Sequence, residues 1–138
     1  MAFLDFMIPV LVALISGLLI GLEREFKNKN AGLKTNALVS VGAAIFMLIS
    51  LKFEHQFGVD ITRVLSQVVV GIGFLGAGVI VRKGANIHGL TTAATVWCCA
   101  ALGCLAAVEM YLEVAAVTIL IIAVNFIFGF FDHKIGKE

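Results

Sequence analysis

The chain has 138 residues, of which 61% are hydrophobic and only 14% charged, with a formal net charge of +1. A soluble domain carries about 45–50% apolar and about 25% charged residues, so this chain lacks the polar surface that water demands and reads as an integral membrane protein. Near-neutral charge excludes a broad basic nucleic-acid footprint. Three cysteines, all within Cys98–Cys104 and two of them adjacent, imply no disulfide framework.

Five apolar runs separated by charge cover residues 3–22, 35–53, 64–81, 90–108 and 114–131. Each approaches the ~20 residues that cross a bilayer as a helix. Lipid offers the backbone no partner, so helix is the expected state, and the runs are apolar on every face rather than alternating, which excludes a β-barrel. The expected fold is all-α: one polytopic domain over residues 1–138 with five transmembrane helices. With only DHKIGKE after the last run, no soluble C-terminal domain is expected within these residues. The opening Met-Ala-Phe-Leu-Asp has no basic residue, so the first run is expected to be a retained span rather than a signal peptide. Arg24, Lys27, Lys29, Lys34, Arg82, Lys83, Lys134 and Lys137 fall on one side of this topology, and Lys52 and Arg63 on the other. Positive residues stay cytoplasmic, which places the N-terminus outside and the C-terminus inside.

The first span carries Gly17 and Gly21, a GxxxG pair suited to close helix approach. It ends in Glu23 and Arg24. Neighbours on a helix point about 100° apart and pair poorly, so each is expected to find a partner on another segment, with Lys34 and Arg82 the candidates for Glu23. The second span opens on Thr35 and Asn36, with Ser40 one turn below.

Asp60, Arg63 and Gln67 share one face at the outer start of the third helix. Asp60 as a cap with Arg63 snorkelling to the interface is one reading. A polar gate over Gln67, which lies deeper than a cap requires, is the other. Further along, Gly71-Ile-Gly73-Phe-Leu-Gly76 matches the dinucleotide fingerprint, but that motif needs a strand before it and an acidic residue about 20 positions later. No acidic residue occurs between Asp60 and Glu109. Gly71, Gly73, Gly76 and Gly78 are therefore expected to pack against a neighbouring helix.

Arg82, Lys83, Asn86 and His88 link the third span to the fourth, which opens on Thr91, Thr92 and Thr95. These threonines either bond back to the preceding turn or cap the helix. Cys98 and Cys99 read as small apolar packing residues. With two helix N-termini pointing at the same surface, the cytoplasmic side becomes an anion-attracting mouth, or a patch resting on anionic lipid. His55, His88 and His133 lack metal-ligand spacing, and no serine has an adjacent base. No catalytic residue and no cofactor are expected.

The strings GLLIGLEREFKNKNAGLKTNALVSVGAAIFML and DITRVLSQVVVGIGFLGAGVIVRKGANIHGLTTAATVWCCAALG together resemble the MgtC/SapB membrane family over roughly residues 16–104. The resemblance implies about five spans in the bacterial inner membrane, a link to magnesium homeostasis and virulence, and in some members inhibition of the F-type ATP synthase. It places hallmark positions on Glu23, Arg24, Gly32, Lys34, Thr35, Asn36, Asp60, Arg63, Gln67, Gly71, Gly73, Gly76, Gly78, Arg82, Asn86, Gly89, Thr92, Thr95 and Trp97. Lys34 stands where the family usually has Arg, which weakens bidentate pairing with a carboxylate. Well-studied members also continue into a soluble C-terminal domain.

Three functions compete. A transporter-like protein linked to Mg²⁺ comes first, although no carboxylate lies between the two membrane faces to replace the ion's water; an oligomer could build such a ring. A membrane-embedded regulator of another membrane complex is second. A binder of a small anionic or lipid ligand at the cytoplasmic mouth is third.

Overall fold

Buried residues of the first helix, α1 (Phe3–Phe26), are Pro9, Ala13, Ser16, Gly17, Ile20, Gly21 and Arg24, a single stripe at three- and four-residue spacing. Small residues dominate that stripe, and they let α2 (Leu33–Leu51) lie directly on it. A Cβ at Gly17 would stand 2.6 Å from the Asn36 carbonyl oxygen, and one at Gly21 would stand 2.7 Å from the Leu33 Cα. Both glycines of the pair thus face the start of α2. On the other face of α2, Gly103 of α4 (Leu90–Ala107) sits against the Ser40 carbonyl and Ala43. The core of this computed structural model is α1, α2 and α4, built on Ala13, Ile20, Ala43, Ala44, Cys99 and Leu102. The structure describes residues 3–135, and side chains of residues 3–129. His133, Lys134 and Lys137 lie outside the described side chains.

Helix α5 (Tyr111–Ile135) leans on this core through Val114 and Thr118. Helix α3 (Thr62–Gly78) is attached more lightly. Gly76 is its one buried residue, and a Cβ there would meet Ala93 of α4 at an ordinary 3.6 Å. Gly71, Gly73 and Gly78 have nothing within reach of an added Cβ, which corrects the expectation that they pack against a neighbouring helix. The reason is order: α4 rather than α3 fills the groove beside α2, so the glycine face of α3 is left outside the core.

A small β-hairpin corrects the all-α expectation. Val81–Lys83 (β1) pairs antiparallel with Asn86–His88 (β2), register Val81↔His88. Gly84 supplies the positive φ of 63° that a two-residue hairpin turn requires. The third run accordingly ends at Gly78 instead of residue 81. Gly89, at φ 89°, turns the chain into α4 where any Cβ would strike the Val79 carbonyl.

Four helices, α1, α2, α4 and α5, are long and apolar enough to cross a membrane, and α3 is a shorter apolar helix of 17 residues. The chain is a multi-pass membrane protein. Successive helices alternate in direction, so one end of the bundle gathers Arg24, Asn36 and Thr92. The other gathers Phe6, Val10, Met47, Leu51 and Ala107.

Candidate functional site

The Arg24 end holds the densest buried polar chemistry. Arg24 is only 4% exposed, and its Nη2 donates to Thr92 Oγ1 at 2.6 Å, tying the last turn of α1 to the first turn of α4. Beside it the Glu23 side chain is 8% exposed and lies 3.0 Å from Lys27 Nζ. Lys27 is therefore the cation of Glu23, four residues on and just past the end of α1, in place of the expected Lys34 or Arg82. The i,i+4 spacing of Glu23 and Lys27 is the favourable one on a helix. Lys27 Nζ also donates to the Asn125 carbonyl at 2.9 Å and lies 4.7 Å from the centre of the Phe126 ring, which anchors α5. Asn125 Nδ2 reaches toward Thr95 Oγ1 at 3.5 Å, while Thr95 Oγ1 itself donates to the Thr91 carbonyl at 2.9 Å.

Asn36 forms the other wall. It is fully buried, and its Nδ2 donates to the carbonyls of Ala31 and Gly32, pinning the α1–α2 loop from inside. Its Oδ1 accepts from Cys99 Sγ at 3.2 Å. Ser16 and Ser40 continue this polar seam, their hydroxyls 3.5 Å apart. Within the cluster some polarity is left over. Arg24 Nε donates no hydrogen bond, and neither Glu23 oxygen accepts one of good geometry, among the described residues. Burying an ionised group costs several kcal/mol unless it is paired, and here a Glu, an Arg and a Lys are packed together with Thr92 and Asn125 as their partners. Their summed charge is +1.

Other expected site residues stand apart from this cluster. Lys34, Thr35, Arg82 and Asn86 are exposed, the last two on the hairpin, where Arg82 Nε donates to the Gly84 carbonyl at 3.0 Å. The start of α2 is occupied by the chain's own anion: Glu25 Oε2 accepts from the Leu33 amide at 3.2 Å. That carboxylate takes the place the expected anion-binding helix terminus would offer. Neither Thr91 nor Thr92 caps α4; its N-cap is Gly89, without a side-chain bond. Lys27, Cys99 and Asn125 belong to the cluster although sequence reasoning did not select them. Asn125 had a signal, a lone amide inside an apolar run.

At the opposite end, Asp60 Oδ1 accepts from the Thr62 amide at 3.0 Å and from the Thr62 hydroxyl at 2.6 Å. Its other oxygen lies 3.7 Å from Arg63 Nε. Those bonds, the Thr62 hydroxyl first, hold the Asp60 carboxyl below the usual range. These bonds form a turn just ahead of α3, whose N-cap is Ile61 without a side-chain bond. Gln67 faces an apolar groove between α2 and α3, together with Arg63, Gly42 and Gly71. Among the described residues, no group of three or more His, Cys, Asp or Glu side chains is placed to hold a metal ion.

No solved structure matches the chain. Among curated proteins, Protein MgtC of Salmonella typhimurium (strain LT2) is 44% identical over 125 residues, covering 91% of this chain and 53% of the relative. Protein MgtC of Brucella abortus (strain 2308) is 50% identical over 113 residues, covering 82% and 47%. The chain spans about half the length of these relatives. A family profile described as the MgtC family matches residues 10–134, a stretch that contains the whole Glu23–Arg24–Lys27 cluster and its partners on α2, α4 and α5. By that match and by these identities, the chain belongs to the MgtC family.

Proposed function

We propose that this chain is a five-span inner-membrane protein of magnesium homeostasis, N-terminus outside and C-terminus cytoplasmic, that works in a transporter-like way through the Glu23–Arg24–Lys27 cluster at its cytoplasmic end. One observation carries this reading: Glu23 and Arg24 are both more than nine-tenths buried inside a transmembrane bundle. Ionisable groups in that position are costly and mark ion pathways or proton relays. The orientation follows from the cations clustered around the Arg24 end.

The charge of the cluster narrows its cargo. Mg²⁺ sheds its water reluctantly and takes carboxylate oxygens, whereas Glu23 is here outweighed by Arg24 and Lys27. A proton or a small anion suits a +1 cluster better, and the link to magnesium is then indirect. Flux in sealed vesicles, with Mg²⁺, protons and phosphate compared for the native chain and Glu23→Gln, tests this. A proton or anion flux abolished by Glu23→Gln supports it, and no flux of any of the three refutes it.

A second reading is favoured by the packing. Gly17, Gly21 and Gly103 bring α1, α2 and α4 into backbone contact, the construction of a solid bundle rather than a gated one. On that reading the protein regulates a neighbouring membrane complex, such as the F-type ATP synthase. Restored growth in low magnesium without any vesicle flux would select it.

A further inference from the structure

The groove between α2 and α3 opens at Arg63, on the far end of the bundle from Glu23, runs inward to Leu38 and Leu75, and is independent of the function proposed above. It encloses about 590 Å³, and its walls are apolar side chains of both helices, with Gly42 and Gly71 as its floor. Two polar side chains interrupt it, Arg63 at the rim and Gln67 one turn below. The Arg63 side chain is 85% exposed and its Asp60 neighbour 52% exposed, in a loose pair at 3.7 Å; Thr62 holds one Asp60 oxygen, and the other stands with the guanidinium at the exposed rim.

We propose that this groove is a binding site for one phospholipid with a zwitterionic, ammonium-bearing headgroup. Three features fit one molecule. Side by side, Arg63 and Asp60 present a cation and an anion at the edge of the hydrocarbon, the complement of a phosphate linked to an ammonium. Gln67, four residues and about 6 Å deeper by helical rise, brings an amide donor to the level of the ester carbonyls, where an apolar wall would otherwise gain nothing from a polar side chain. Below it the groove runs on to Leu75. From Arg63 to Leu75 the helix rises about 18 Å, close to the ~15 Å of hydrocarbon in one leaflet.

Length and charge also set this occupant against others. A partner transmembrane helix, or α3 of a second copy, would cross the full ~30 Å and meet this groove over little more than half its path. An acidic lipid would gain at Arg63 and be repelled at Asp60.

The test uses the full chain, purified in mild detergent, delipidated, and offered phosphatidylethanolamine or phosphatidylglycerol, with bound lipid counted by native mass spectrometry. The native chain should retain phosphatidylethanolamine over phosphatidylglycerol by roughly tenfold, the size of one charge-assisted contact. Asp60→Asn, a surface change, should erase that preference. Gly71→Leu, which fills the floor where a side chain meets no neighbour, should abolish retention of both lipids. Equal retention of the two lipids by the native chain overturns the proposal. So does unchanged retention by Gly71→Leu, or a photocrosslinker at Gly71 that captures a second copy or another protein instead of lipid.

Discussion

Arg24 and Thr92 are separated by 68 positions in the chain and by 2.6 Å in space. This one hydrogen bond joins the end of α1 to the beginning of α4, and it holds a guanidinium that is otherwise out of reach of water. Thr92→Val keeps the shape and removes the acceptor. It should lower stability by about 1–3 kcal/mol, the cost of leaving a buried donor unsatisfied, read as a lower melting temperature in detergent. Thr92→Ser should restore it.

Glu23 and Lys27 are expected to behave as a unit. Removing one member of a buried pair leaves an uncompensated charge, so Lys27→Met should destabilise the protein more than Lys27→Met combined with Glu23→Gln. A double-mutant cycle on thermal stability measures the difference. Additive effects would show that the two side chains do not act on each other.

The glycines divide into two classes with opposite signs. Gly17→Ala and Gly103→Ala push a methyl into neighbouring backbone and should cost at least the ~1–3 kcal/mol of overpacking. Gly73→Ala meets nothing and should be neutral or stabilising by up to ~1 kcal/mol through helix propensity. Thermal unfolding in one detergent compares all three.

Asp60 gives a pH-dependent prediction. Its folded carboxyl titrates below the ordinary value, chiefly because the Thr62 hydroxyl bonds the ionised form. The stabilisation this brings is therefore complete above about pH 4, the ordinary aspartate value, and is lost as pH falls through the lowered folded value. Thr62→Val should raise the Asp60 titration toward the ordinary value, as followed by carboxyl-carbon NMR.

Topology is checked with an impermeant maleimide in a background of Cys98→Ala, Cys99→Ser and Cys104→Ala. Cysteines placed at Gln56 and Glu109 should label from outside, and those at Asn28 and Gly84 should not. Equal labelling at all four sites would refute the five-span orientation.

Helix positions were legible because apolar runs and charge clusters are local signals. Gly17 and Gly21 could be read as a contact face for the same reason: a GxxxG pair needs only one facing helix. Gly71, Gly73 and Gly78 carry an equally strong local pattern, yet whether a face is covered depends on which helix lies beside it, and no spacing within α3 contains that information. The Glu23–Lys27 pair carries a local signal, the i,i+4 spacing, even though a residue beside Arg24 is expected to pair with another segment. Asn36 with Cys99, 63 positions apart, had no local sign at all. The hairpin was written in Gly84 and Gly89, small residues inside a basic loop whose turns only the paired strands explain.

Light attachment of α3 has a consequence for the making of the protein. Chains emerge from the ribosome N-terminus first, so α1 and α2 can associate at once through Gly17 and Gly21. The support on which α3 rests, Ala93 of α4, is synthesised only after it. For that interval α3 must remain in the bilayer by its own hydrophobicity, while the side of α2 that will receive Gly103 waits uncovered. When α4 arrives it closes the core first and offers α3 a place second. The helix with the fewest buried residues thus depends for its seat on a helix made after it.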